Sequence, residues 1–179
     1  MTIDNTTDTQ KIELLKQISL FSGLNNDPDA FQKLAQLFTT VAYPQGHRII
    51  TEGTESADDD ALYIIKSGTV EVIKKTRPGD PYKVAELSAD MHVFFGEVAL
   101  LDKERRSATV ICRTDCEFYA LSRGDFLALG DRSPAIGLAI TRELTKIICQ
   151  RLRKANNDII TLFDALVEEV AQSGGVTKQ

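Results

Sequence analysis

The feature that most constrains this chain is the stretch from Val41 to Leu121, where short β-forming runs alternate with glycine-bearing turns. The candidate strands are Arg48–Thr51, Ala61–Lys66, Thr69–Lys75, Tyr82–Leu87, Ser107–Cys112 and Glu117–Leu121. Pro44-Gln45-Gly46, Glu52-Gly53, Ser67-Gly68 and Arg77-Pro78-Gly79-Asp80 lie between them, each rich in residues that reverse a chain cheaply. Ser67-Gly68 stands between two β-rich runs, where a tight hairpin would sit. Many short strands at this rhythm predict two packed sheets, as a small sandwich or a jelly-roll barrel.

Helical periodicity brackets this stretch. Ile12, Leu15 and Ile18 share one face of a first helix over Lys11–Ile18. Asn26 or Asp27 caps a second helix with Pro28 in its first turn, and Phe31, Leu34, Ala35 and Phe38 form its apolar stripe. That helix is expected to end near Thr39-Thr40. After Ser122, a short helix Arg123–Leu129 is expected to stop at Gly130. Ser133-Pro134 then opens a long one that runs to about Gln172 and ends at Ser173-Gly174-Gly175. The order helices, strands, helices predicts an α+β fold: an eight-stranded double-sheet jelly-roll β-barrel flanked by N-terminal helices and a long C-terminal helix. The expected divisions are a disordered leader (1–10), the β-roll with its N-terminal helices (11–130), a C-terminal helical region (131–172) and a disordered tail (173–179).

Composition narrows the function classes. A chain of 179 residues supports one well-buried core and a small additional element. A net charge of −5 disfavours nucleic acid as a partner, since that role needs a concentrated basic face. No apolar run approaches the roughly 20 residues that span a bilayer, and Met1 to Gln10 lacks the basic and apolar regions of a secretory signal. Cys112, Cys116 and Cys149 show no paired metal-ligand spacing and read as buried, reduced thiols in a cytoplasmic protein. With only His47 and His92 available, neither a histidine-based metal centre nor a histidine-driven nucleophile is expected. The chain is therefore expected to hold no metal and to catalyse no reaction.

Two short features between Phe94 and Val110 carry chemistry. In Gly96-Glu97-Val98-Ala99-Leu100-Leu101, a strand exit at the glycine followed by one helical turn would point backbone N–H groups at one spot, which suits an anion such as phosphate. Glu97 has the wrong charge for phosphate and is suited to accept from a hydroxyl, such as a ribose 2′-OH. In Arg105-Arg106-Ser107-Ala108-Thr109-Val110, a guanidinium offers two-point donation to phosphate oxygens, Ser107 adds a neutral donor and Ala108 allows close approach. Taken singly, each half is the kind of short motif that occurs by chance.

Joined, the run Phe95-Gly96-Glu97-Val98-Ala99-Leu100-Leu101-Asp102-Lys103-Glu104-Arg105-Arg106-Ser107-Ala108-Thr109-Val110 resembles the phosphate-binding cassette of the cyclic-nucleotide-binding domain family, the regulatory module of catabolite-activator-type regulators, kinase regulatory subunits and gated channels. Pro44-Gln45-Gly46, Ile50-Thr51-Glu52-Gly53 and Leu62 to Val72 resemble that family's strand and corner pattern, and the likeness runs from about Leu20 to Leu152. The resemblance implies cAMP or cGMP as ligand, with Arg106 neutralising the cyclic phosphate and Glu97 accepting from the ribose 2′-OH. Gly96, Val98 and Ala99 would form the turn, with Gly96 and Ala99 supplying backbone donors and clearance. Ser107 and Ala108 would line the ligand, Ser107 touching phosphate or base. Arg105 stands where the family often has proline and reads as a solvated neighbour. The approach to the cassette departs from the family: Asp90-Met91-His92 replaces the customary Gly-Asp, and His92 reads as a surface loop residue.

In the long C-terminal helix, Ile148, Leu152, Ala155, Ile159, Leu162 and Leu166 recur at steps of 4, 3, 4, 3 and 4. That is a coiled-coil seam, competing with a helix packed back on its own barrel through Ile147, Ile160 and Phe163. Relatives use this region to dimerise and to cover the base, which implies a homodimer and places Asn156 or Asn157 near the base. No winged helix-turn-helix follows in the sequence, so a DNA-binding output is not expected. The expected function is a stand-alone cAMP or cGMP sensor that relays binding through its C-terminal helices to a separate protein effector. The alternative is a ligand-free dimeric interaction protein with an idle cassette.

Overall fold

The computed structural model describes residues 5–25, 27–55, 60–76, 79–102 and 105–174. Two compact units are present, Met1–Glu143 and Leu144–Gln179. The first therefore takes in the opening of the long helix that the sequence reading assigns wholly to a separate C-terminal region.

The first unit begins with α1 (Asn5–Gln17), a 3₁₀ segment Ser19–Leu24, and α2 (Pro28–Ala35). The α1 helix extends over residues 5–10, which the sequence reading places in a disordered leader. Their polar run hides a helix that continues from the anchored turn at Lys11–Leu15. Asp27 caps α2, its carboxylate accepting from the Ala30 N–H at 3.0 Å, with Pro28 at the first turn; Asn26 lies outside the described residues. Leu15, Ile18, Phe31, Leu34 and Phe38 are buried, as the helical stripes require. Lys11 is buried too, because its ammonium donates to the Ala35 and Phe38 carbonyls, both at 3.1 Å, where α2 gives out. The helix stops at Ala35, earlier than expected, since Thr39 and Thr40 open a strand.

Among the described residues, eight strands form two four-stranded antiparallel sheets. One has the order β1 (Thr39–Tyr43), β8 (Cys116–Ser122), β3 (Ala61–Ser67), β6 (Phe94–Phe95). The other runs β2 (Arg48–Ile50), β7 (Thr109–Cys112), β4 (Thr69–Lys75), β5 (Pro81–Ser88). Ile50, Val70, Val110 and Cys112 from one sheet and Ile65, Phe95, Cys116 and Phe118 from the other share one core cluster, so the sheets pack as a jelly-roll sandwich. Among the described residues no strand pairing joins the two sheets, so they do not close into the expected barrel.

Three sequence expectations change here. Ser67-Gly68 is not a hairpin turn, because β3 and β4 belong to different sheets. It is a corner, with Gly68 at φ +90°, where a Cβ would lie 2.5 Å from the Asp115 carbonyl. The hairpin of this region joins β4 to β5. Strands β1 and β6 escape the sequence pattern, one by adjoining a helix and the other by spanning two residues. Finally, α4 (Arg123–Arg132) runs through Gly130 without stopping. A Cβ on Gly137 would lie 2.7 Å from the Gly130 Cα, so these glycines mark a close approach between α4 and the start of α5 (Pro134–Gly174).

The second unit is the remainder of α5. Every residue from Ile148 to Gln172 is exposed, including all six seam positions. The helix continues through Gly174; residues 175–179 lie outside the described residues.

Candidate functional site

The site grows from two corners that converge on the start of β3. At the first, Gly53 (φ +79°) turns the chain after β2, and its N–H donates to the Arg106 carbonyl at 2.9 Å. The Arg106 N–H returns a bond to the Thr54 carbonyl at 3.0 Å. Glu52 is pinned in the same place, its N–H donating to Thr109 Oγ1 at 3.0 Å. The Glu52-Gly53 turn thus fixes the backbone on which Arg106 stands.

The Arg106 guanidinium pairs with the carboxylate of Asp60, the residue just before β3. The two side chains are 13% and 7% exposed, so this is a buried, charge-assisted contact rather than a surface one. Asp60 is held by its own carbonyl, which accepts from the Arg123 N–H at 2.9 Å where α4 begins. Among the described residues, Asp60 Oδ2 and Arg123 Nε and Nη1 are buried with no hydrogen-bond partner. Buried polar atoms of this kind are unusual and call for a partner.

The second corner is Gly96, at φ +78° between β6 and α3 (Val98–Leu101). A Cβ there would lie 2.7 Å from the carbonyl of Ala61, next to Asp60. Glycine is required on both counts, since L side chains rarely adopt this φ and no room exists for one. Glu97 is buried, as is Ala99. The turn closes on itself: the Ala99 N–H donates to the Gly96 carbonyl at 3.2 Å, and the Leu100 N–H to the Glu97 carbonyl at 3.1 Å. The Ala99 amide, expected to serve a ligand, is therefore engaged within the turn.

The remaining candidates divide. Val98 and Ser107 are exposed and Ala108 is half-buried, the latter two in the bend before β7, which starts at Thr109 rather than Ser107. Arg105 is a solvated neighbour, paired with Glu55 at 3.5 Å between two largely exposed side chains. Asn156 lies in the second, helical unit, on an exposed stretch of α5. His92 is exposed and adopts the left-handed conformation, φ 48°, which histidine tolerates better than most residues. It supplies the reversal left open by the missing glycine. Among the thiols, Cys112 and Cys116 are buried and free, whereas Cys149 is exposed, against the expectation of three buried thiols. Burial, followed by the neighbouring Cys116, pushes the Cys112 thiol up to about 12.

Sequence reasoning missed Asp60. It ends the acidic run Asp58-Asp59-Asp60 before a strand, and that context was the only available signal. Nothing in the run tells which acid meets an arginine 46 residues away.

The fold at this point is a double-sheet jelly roll in which the Gly53 turn holds the backbone of Arg106, whose side chain is largely withdrawn from solvent. The family profile of the cyclic nucleotide-binding domain matches residues 40–133, just over half of the chain. The chain is 38% identical over 115 residues to the cAMP-dependent protein kinase regulatory subunit of Aspergillus fumigatus, covering 64% of this chain and 25% of that protein. It is 32% identical over 145 residues to the cyclic AMP receptor protein of Thermus thermophilus, covering 81% and 62%. The crystal structure of the Thermus thermophilus catabolite activator protein superposes with a TM-score of 0.68 at 33% identity, over 80% of this chain and 62% of that one. The chain belongs to the cyclic nucleotide-binding domain family. It spans less than two thirds of the length of each of these relatives. Among the described residues no helix is long and apolar enough to cross a membrane, and no cluster of His, Cys, Asp or Glu could hold a metal ion.

Proposed function

We propose that this protein is a cytoplasmic cAMP or cGMP sensor, homodimeric through α5, which relays binding through its C-terminal helices to a separate protein effector. The observation that carries the reading is Arg106, a guanidinium withdrawn from solvent on a backbone locked by Gly53 and Thr54. A permanent charge in such a place suits a buried phosphate, which offers the guanidinium two oxygens at once. Glu97, buried one residue beyond the Gly96 turn, suits a ribose hydroxyl. Ser107 and Ala108 then flank the phosphate, Val98 and Ala99 form the turn beneath it, and Asn156 is assigned to the base. The ligand competes with Asp60 for Arg106, and that competition couples occupancy to β3 and, through the Asp60–Arg123 bond, to α4.

Isothermal titration with cAMP and with cGMP tests the assignment. Saturable binding of at least one is expected, with a loss of at least about a hundredfold in Arg106→Ala, which strips the anion of its counter-charge. An unchanged affinity in that variant removes Arg106 from the site.

One observation favours the alternative of an idle roll that only presents a dimeric helix: Asp60 already neutralises Arg106. Asp60→Asn separates the two readings. A competing carboxylate predicts tighter nucleotide binding when it is neutralised, whereas an idle roll binds neither cAMP nor cGMP in either form.

A further inference from the structure

The C-terminal end of α5 carries more apolar surface than a two-helix seam needs, and carries it on one side. At about 100° of turn per residue, Leu162, Leu166, Ile159, Phe163, Val167 and Ile160 follow one another around an arc of about 160°. Asp158, Asp164, Glu168 and Glu169 lie on the remaining side, and residues 158–172 contain no Lys or Arg.

This arc holds two stripes. The seam residues Leu162, Leu166 and Ile159 take up about its first 60°. Ile160, Phe163 and Val167 form the second stripe, and they are 59%, 64% and 50% exposed. Asp164 and Glu168, one turn apart, border the second stripe on the side away from the seam. The second stripe is confined to this end of the helix. Further back, the same strip of the helix carries Thr145, Cys149 and Asn156, while the seam runs on through Ala155, Leu152 and Ile148. The widening is therefore separate from the seam and calls for a cover of its own.

We infer that Ile160, Phe163 and Val167 are the docking ridge for the separate protein effector, which meets it with a basic amphipathic helix. The inference rests on the effector reading given above and names the surface and the chemistry of the partner. A helix fits because residues at steps of three and four make a straight ridge, about 10 Å long at a rise of about 1.5 Å per residue. A helix centred on the seam covers only the narrow strip of seam positions and leaves the ridge at its edge, where another helix can pack.

Charge decides which helix is accepted. An apolar ridge alone takes any apolar partner. Lysines or arginines beside the partner's apolar face come to lie against Asp164 and Glu168, whereas acids there meet like charge. Rim pairs of this kind add little affinity singly, yet they discriminate between partners.

The test uses the full chain and two fluorescently labelled synthetic helices with the same leucine face. One carries lysine at its remaining positions and the other glutamate. By anisotropy, the lysine helix should bind at least about tenfold tighter than the glutamate helix, and Ile160→Gln/Phe163→Gln should lose at least about tenfold of that affinity. Glutamine is a good helix former, so the double variant keeps α5. Asp164→Asn/Glu168→Gln should lose affinity several-fold. Equal affinity for the two helices overturns the inference. So does an unchanged affinity in Ile160→Gln/Phe163→Gln, which would mean that the lysines bind acidic surface elsewhere. Sedimentation of the same variant supplies a further arm: a changed oligomeric state assigns the ridge to additional copies of this chain and overturns the effector. Nucleotide titration judges the sensor reading separately. If neither cAMP nor cGMP binds, or neither shifts the peptide affinity, the relay falls while a ridge that selects the lysine helix stands.

Discussion

The helices α2 and α5 carry the same kind of apolar stripe and meet opposite fates. Phe31, Leu34, Ala35 and Phe38 of the α2 segment are buried, while Ile148, Leu152, Ile159, Leu162 and Leu166 of α5 are exposed. A stripe at steps of three and four states only that one face of a helix prefers to leave water. Whether its cover comes from the same chain is decided elsewhere. For α2 the cover includes α1, tied down by the Lys11 bonds to the end of α2. For α5 the stripe from Ile148 to Leu166 is exposed, and the proposed homodimer is what would cover it.

The largest expected effect breaks this contrast directly. Phe118→Ala removes a fully buried ring that contacts Tyr43, Tyr63 and Phe95, and should cost about 3–5 kcal/mol of unfolding free energy in a denaturant titration. Leu162→Ala removes a side chain that is 71% exposed, and should leave the unfolding of the dilute chain within about 0.5 kcal/mol while weakening self-association in sedimentation. If Leu162→Ala destabilises the dilute chain as strongly as Phe118→Ala does, the seam is not an intermolecular surface.

A middle-sized effect sharpens the account of the site. Gly96→Ala forces a Cβ to within 2.7 Å of the Ala61 carbonyl at an unfavourable φ, and is expected to cost about 1–3 kcal/mol by thermal melting. Affinity for nucleotide should fall with it, because the same turn carries Glu97. Gly46, with a similar φ but open space around it, should cost less when changed to alanine. Equal effects at Gly46 and Gly96 would show that backbone conformation alone matters and close packing does not.

The smallest effect is chemical. A maleimide or disulfide reagent near neutral pH should modify Cys149 quickly and leave Cys112 and Cys116 untouched until the chain unfolds. The raised Cys112 value also has a thermodynamic sign. Above its ordinary value of 9.0 the unfolded chain releases a proton that the folded chain keeps, so stability falls as pH rises from there towards 12. A Cys112→Ala variant should lose part of that alkaline slope, measured by melting between these limits.

Much of this was legible in the residues. Six of the eight strands, the Asp27 cap with Pro28 and the long C-terminal helix all follow from local chemistry. Each depends on a period, a cap or a spacing within a few residues. The expectations that changed were statements about what lies across space. Ser67-Gly68 looks like a hairpin until β3 and β4 are assigned to different sheets, and Gly130 looks like a helix stop until Gly137 is found against it. Strand β6 is too short for any period, and exists because β3 offers it partners.

The site divides in the same way. The sequence alone determined which residues have the right chemistry for a phosphate and a ribose, because charge, donor geometry and the freedom of glycine are properties of the residue. Only the tertiary structure decided that Arg106 is buried against Asp60 and that the Ala61 carbonyl closes the space above Gly96. Those facts arise from the folding of segments dozens of residues apart onto the start of one strand. Burial and pairing belong to the neighbours a residue acquires, and no local pattern names them.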